Sequence, residues 1–273
     1  MPKEKTSYTE LAHQVVRESP EPLPFNEILY RVHAITPIKT QNPKGTIRNA
    51  VSQSHLIVAT GDGRYGWKPR LITGSVLRLT LSKSDLARQF IEFGDDLRDV
   101  LWPSFFEIQM RKDRRPVNLQ MPDKSVTPLP LDFAGAGRWG TSGSPEFWQW
   151  FKKLQAKQGD HLIFRALDGD AKLYSIEFQT RAARDEAAIA ERNQAILQAS
   201  LAFYRSKANG AADWDITAHL LATGQYKHPV PPDPFAEIWT PKVWKPELAK
   251  KETRGGWTWV RVTDTPVRRK KHD

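Results

Sequence analysis

At 273 residues the chain has room for two domains of ordinary size, and a hydrophobic content of 39% with a mean hydropathy of −0.57 describes a globular, water-soluble protein. No apolar run approaches the roughly 20 residues of a membrane span, and the polar start MPKEKTSYTE has no signal-peptide core, so a cytoplasmic location is expected, with no membrane partner. Cysteine is absent, which excludes disulfides, thiolate nucleophiles and finger-type zinc sites. The seven histidines are scattered and form no HExxH pair, so no metal and no other cofactor is expected.

Lys and Arg number 41 against 31 acids, a formal charge of +10 with a pI near 9.7. The excess sits at the ends: residues 1–70 carry 10 basic and 6 acidic side chains, and residues 241–273 carry 10 and 4. That distribution favours polyanionic partners through phosphate neutralisation and counterion release. A basic balance that serves solubility alone is the bland alternative.

Three helical patterns come first. In SYTELAHQVVRES, Tyr8, Leu11, Ala12, Val15 and Val16 recur at helix spacing, with Ser7 and Glu10 as a capping box. In LPFNEILYRVHA, Phe25, Ile28, Leu29 and Val32 repeat the pattern. A third helix, Pro43 to Ser54, has Asn42 as N-cap and Pro43 in its first turn. Its inward face is Ile47, Ala50 and Val51, which at 100° per residue turns Arg48, Asn49, Ser52 and Gln53 outward. A hairpin, LIVAT-GDGR-YGWKP, follows. Three helices and a hairpin make a winged helix-turn-helix, whose third helix enters a major groove while the wing lies on the backbone. Arg, Asn, Ser and Gln are the side chains that read base edges there; Thr46 is counted with them, and Lys44, Arg64 and Lys68 are the expected phosphate contacts.

The run from Tyr8 to Pro69, with its PLPFNEI approach to the second helix, its KTQNPKGTIRNAVSQS third helix and its aromatic-glycine wing end, resembles the HARE-HTH family of winged helices over residues 5–70. That family occurs in chromatin proteins, restriction endonucleases and the delta subunit of bacterial RNA polymerase, and sensing of DNA modification has been suggested for it. The resemblance implies a DNA-directed or polymerase-directed module, not a catalyst.

From residue 74 the texture becomes strands. SVLRLTLS alternates Val76, Leu77, Leu79 and Leu81 with polar residues; SFFEIQMRKDRRPVNLQMPD reads as a hairpin turning at Arg111, Lys112, Arg114 and Arg115; DHLIFRALDGDAKLYSIEF reads as a second hairpin turning at Asp168, Gly169 and Asp170. SPEFWQWFKKLQAKQGD between them is an amphipathic helix, with Trp148, Trp150 and Phe151 read as core. The run RWGTSGSPEFWQWFKKLQAKQGDHLIFRALDGDAKLYSIEF, with LRLTLSKSDL as a first strand and turn, resembles the plant B-three type DNA-binding pseudobarrel over residues 74–180. The resemblance implies two arms gripping a major groove, at Arg111 to Arg115 and at Arg138, Trp139 and Ser142. A solvated turn is the bland alternative for the first arm.

Asp160 or Asp170, followed by Glu177 and Gln179, resembles a degenerate PD-(D/E)xK nuclease site, in which two carboxylates and a third polar residue would hold Mg2+. Its final Lys is replaced by Gln179 and its Asp residues suit turns, so the structural reading is preferred.

TRAARDEAAIAERNQAILQASLAFYRSK is the longest helix, with Ile189, Asn193, Ile196, Leu197, Ser200, Leu201 and Tyr204 along one face. The expectation is packing on the barrel, with homodimerisation through residues 182–206 as the alternative. A short helix with Leu220 and Leu221 and a proline-rich run follow, and Tyr226, Phe235, Ile238 and Trp239 favour a docked strap. Trp257, Trp259, Val260 and Val262 suggest a strand, and RRKK ends a basic tail that either adds phosphate contacts or solubilises.

The expected fold is therefore α+β: a winged helix-turn-helix (1–70), a β-pseudobarrel with one or two helices (74–180), a long helix with a proline-rich strap (181–240) and a basic tail (241–273). The expected function is non-enzymatic binding of double-stranded DNA in the nucleoid, as a transcription regulator or the recognition component of a restriction or defence system. A nuclease, or an adaptor docking on RNA polymerase or on a nuclease subunit, are the alternatives.

Overall fold

The Ser7 hydroxyl accepts the Glu10 N–H at 3.2 Å and the Glu10 carboxylate accepts the Ser7 N–H at 2.7 Å, a reciprocal cap that starts the first helix as its sequence specifies. The structure is a computed structural model and describes residues 7–54, 56–101, 116–133, 139–207, 210–240, 249–254 and 257–262. The amino-terminal elements are α1 (Tyr8–Glu18), β1 (Leu23–Pro24), α2 (Phe25–Ile35), α3 (Pro43–Ser52), β2 (Ile57–Ala59) and β3 (Arg64–Trp67). The strands form an antiparallel sheet of order β1-β3-β2, with Ile57 opposite Trp67 and Leu23 opposite Tyr65. The apolar stripes of the three helices meet on this sheet in a core of their own, built on Leu11, Val15, Ile28, Val32, Ile47, Val51 and Trp67.

The chain continues through α4 (Lys68–Ile72), β4 (Val76–Thr80), α5 (Lys83–Arg88), β5 (Ile91–Glu92), α6 (Asp95–Leu101), β6 (Val117–Gln120), β7 (Val126–Leu129), β8 (Asp132–Phe133), β9 (Trp139–Thr141), α7 (Pro145–Lys153), β10 (His161–Asp168) and β11 (Leu173–Gln179). Then come α8 (Glu186–Arg205), β12 (Ala211–Ala212), α9 (Asp213–Ala222), α10 (Phe235–Ile238), β13 (Ala249–Arg254) and β14 (Trp257–Val262). The whole is mixed α+β.

The described strands do not close into a barrel. Five make an open sheet of order β4-β10-β11-β6-β7, and β5, β9 and β8 make a separate three-stranded sheet. The hairpin expected at residues 161–179 is β10–β11, paired from His161 with Gln179 to Asp168 with Leu173. The other expected hairpin divides: its first strand and basic turn lie outside the described residues. Its second strand, β6, runs parallel to β11 and pairs antiparallel with β7.

The expected alternation on β4 fails in an informative way. Val76, Leu77, Arg78 and Leu79 are all buried, because the proline-rich segment covers the face that would otherwise meet water. Arg78 is 3% exposed. Its guanidinium donates to Gln179 Oε1 at 2.5 Å and to the Pro231 carbonyl, and lies 3.7 Å from Asp233. Asp233 also takes Arg184 at 2.9 Å and Asn193 at 2.8 Å, so one carboxylate latches the strap to α8 and the sheet. Tyr226, Phe235, Ile238 and Trp239 are buried with it, as a docked strap requires.

The apolar face of α8, with Ile196, Leu197, Phe203 and Tyr204, is committed to the same core as the five-stranded sheet. That core runs from Val58 to Trp239, so the expected boundary near residue 180 passes through it.

Candidate nucleic-acid interface

Asn42 Oδ1 accepts the Gly45 N–H at 2.9 Å and Pro43 occupies the first turn, which fixes where α3 begins. Ile47, Ala50 and Val51 turn inward, and Lys44, Arg48, Asn49, Ser52 and Gln53 are all exposed. The Arg48 guanidinium carbon lies 5.2 Å from the centre of the Phe25 ring, which restrains an otherwise mobile side chain. Ser52 donates to the Asn49 carbonyl at 3.3 Å. Thr46 has a different place: its hydroxyl meets the Thr40 hydroxyl at 2.9 Å and donates to the Asn42 carbonyl at 3.0 Å, bracing the first turn.

Around this strip the sequence carries a signal that pattern reading passed over. No acidic residue occurs from Ile28 to Gly61, a stretch that holds Arg31, Lys39, Lys44 and Arg48. Lys39 and Thr40 are exposed ahead of α3, and all four basic side chains lie on the surface. A run free of carboxylates keeps the local potential positive although the amino-terminal unit as a whole is only mildly basic.

The hairpin does not hold the position expected of a backbone-gripping wing. Gly61 at its tip adopts φ +91°, and a side chain there would collide with the Phe203 ring of α8. Lys207 donates its ammonium to the Gly61 carbonyl, and the His219 ring of α9 meets the Thr60 carbonyl at 3.3 Å. Arg64 is exposed but engaged, donating to the Pro22 carbonyl at 3.2 Å and pairing with Asp62 at 3.4 Å. Burial opposes ionisation of Asp62, but the Thr60 hydroxyl, the Arg64 N–H and the Arg64 charge together hold its carboxyl below the usual range.

Lys68, expected as a phosphate contact, is 2% exposed. Its ammonium sits 4.8 Å from the centre of the Trp214 ring, covered by α9. The reason is topological: α4 begins at Lys68 and turns the chain into the second core.

The second expected footprint is divided by what the structure describes. Arg111, Lys112, Arg114, Arg115 and Arg138 lie outside the described residues, as does the RRKK tail. Trp139 is half-buried on β9 opposite Phe133, and Ser142 is exposed. Ser142 is tied through its N–H and hydroxyl to one Asp132 oxygen at 3.0 and 2.5 Å. Trp148, Trp150 and Phe151 pack around Phe147, with Phe147 and Phe151 stacked at 5.7 Å, which meets the core reading.

The carboxylates of the nuclease alternative are not brought together. Asp160 accepts the Lys157 and Arg181 N–H groups just before β10, whereas Asp170 accepts the Trp67 indole N–H at 3.2 Å in the turn at the far end of that strand. Glu177 is exposed on β11. No cluster of three metal-ligating side chains occurs among the described residues, and no helix among them is long and apolar enough to cross a membrane. No family model, curated protein or solved structure matches the chain.

Proposed function

We propose that this chain is a non-enzymatic double-stranded DNA-binding protein of the cytoplasm, a transcription regulator or the recognition component of a restriction or defence system. In this reading residues 5–70 are a winged helix of the HARE-HTH type and residues 74–180 a B-three-like unit beside it. The observation that carries the reading is the solvent-facing strip of α3. It sets Lys44 and Arg48 beside Asn49, Ser52 and Gln53 within a stretch free of carboxylates. A helix with that face fits a major groove, with Arg suited to guanine and Asn or Gln to adenine.

Because the hairpin tip is held by α8 and α9, backbone contacts fall to Lys39, Lys44 and the amino-terminal turn of α3 rather than to the wing. Dimethyl sulfate protection of guanine N7 tests the geometry. On a bound duplex, protection in the major groove is expected with the wild-type protein and lost with Arg48→Ala. A footprint unchanged in that variant would remove α3 as the reader.

A further inference from the structure

Between the amino-terminal unit and α9 lies a half-open cavity of about 400 Å³. Its walls come from three parts of the chain: Val51 and Ser52 at the end of α3, Val58 and Tyr65 of the hairpin, and Trp214 and Asp215 at the start of α9. The size falls in the range of small-molecule sites, roughly 300–1,000 Å³, and so does the chemistry, apolar and aromatic walls with few polar groups. Those polar groups are not equivalent. The Ser54 hydroxyl is already engaged by the His13 ring at 2.6 Å and by the Leu56 and Ile57 N–H groups. Ser52 is turned to its own helix.

Asp215 is the remaining charge. One of its oxygens accepts the Ala212 N–H at 3.0 Å, holding the first turn of α9. Burial raises its carboxyl above the usual range, with the Ala212 N–H and the Lys207 charge pulling the other way. Lys207 does not pair with it: that ammonium is directed to the Gly61 carbonyl and over the Phe203 ring at 5.0 Å. The Lys68 ammonium lies on the Trp214 ring and contributes to the field at Asp99. A carboxylate on an apolar wall, partly withdrawn from water and without an ion pair among the described residues, is complementary to a positive charge brought in on a ligand.

We propose that this cavity binds a small organic cation: a flat apolar ring system, seated among Trp214, Tyr65 and the aliphatic walls, that carries an amine to Asp215. The cavity borders the α3 strip at Ser52, but its occupation is measured without DNA, so its failure leaves the DNA reading untouched.

The test is isothermal titration of the full chain near neutral pH with 1-naphthylmethylamine, a cation there, and with 1-naphthylacetate, the same ring bearing a carboxylate. The amine is expected to bind at one site and the acetate not to bind. Asp215→Asn, which keeps an oxygen for the Ala212 N–H, is expected to weaken the amine about tenfold, the worth of one hydrogen bond to a charged group. Ala59→Trp, at an exposed position on the cavity wall, is expected to abolish binding by filling the space. Circular dichroism and the unfolding midpoint establish that each variant is folded, and if Ala59→Trp is not, Asp215→Asn decides alone. Failure of the amine to bind the wild type, equal binding of the acetate, or unchanged amine affinity in a folded variant would each overturn the proposal.

Discussion

Lys44 and Lys68 are the same residue type in the same basic stretch, and the fold gives them opposite work. Lys44 is exposed on the first turn of α3, whereas Lys68 is sealed against Trp214. Lys44→Ala is expected to lower the slope of log affinity for DNA against log salt by about one and to change stability by less than about 0.5 kcal/mol. Lys68→Ala is expected to leave the slope alone and to cost about 1–3 kcal/mol of stability, read from denaturant unfolding. Nothing local in GWKPR announces that difference, because the covering ring arrives from α9, far along the chain. Arg48 and Asn49 were legible because helix periodicity alone decides which way they face.

His161 is a second residue whose setting the sequence hides. It is 2% exposed on β10, and Arg184 donates to its Nε2 at 3.1 Å. Burial first, then the charges of Arg78 and Arg184, hold its pKa near 4, against 6.5 for a free imidazole. A lowered pKa means that the unfolded chain takes up the proton first, so this contribution to stability is complete above pH 6.5 and is lost as pH falls towards 4. The loss is at most about 3 kcal/mol. His161→Gln is expected to flatten the pH dependence of the unfolding midpoint across that window; an unaltered slope would assign it to other groups. Buried Asp96 runs the other way, with its pKa pushed up to about 6 chiefly by burial. It therefore favours the folded state at low pH and loses that contribution as pH rises through the same range.

At the scale of elements, local signals served well where they were local. The capping box of α1 and the Asn42-Pro43 start of α3 lie where a sequence reader puts them, since a cap is decided by three or four neighbouring residues. The short α5 and α6 and strand β7 were not foreseen. Asp96 and Asp99 on α6 are buried, so its polarity reads as loop although the rest of the molecule covers it. The hairpin is the plainest case. Its turn was legible from Gly-Asp-Gly, but not its role, because Phe203 on α8 and Lys207 just past its end convert a free wing into a clamp. Gly61→Val combines a positive φ with a collision against Phe203 and is expected to cost about 1–3 kcal/mol. If the hairpin were a free wing, the cost would stay at the low end and DNA affinity would fall instead.

On the scale of the whole molecule, two cores are joined by specific ties rather than by a linker. Trp67 belongs to the first core and reaches Asp170 in the β10–β11 turn, and Arg70 on α4 donates back to the carbonyls of Arg17 and Ser19. The arrangement leaves the α3 strip exposed while α8, Lys207 just beyond it and α9 brace the hairpin beside it. The change of texture near residue 70 was visible in the sequence. The continuity of the second core across residue 180 was not, because α8 and the strap contribute side chains whose partners are set only by tertiary packing.

The account turns on α3, and the most direct measurement is fluorescence anisotropy of the intact protein on duplex DNA across a salt series, beside the triple variant Arg48→Ala, Asn49→Ala, Gln53→Ala. Steeply salt-dependent binding by the wild type, with at least about a tenfold loss of affinity in the folded variant, is the predicted result. Equal binding by the two proteins, or no binding by either, would contradict it.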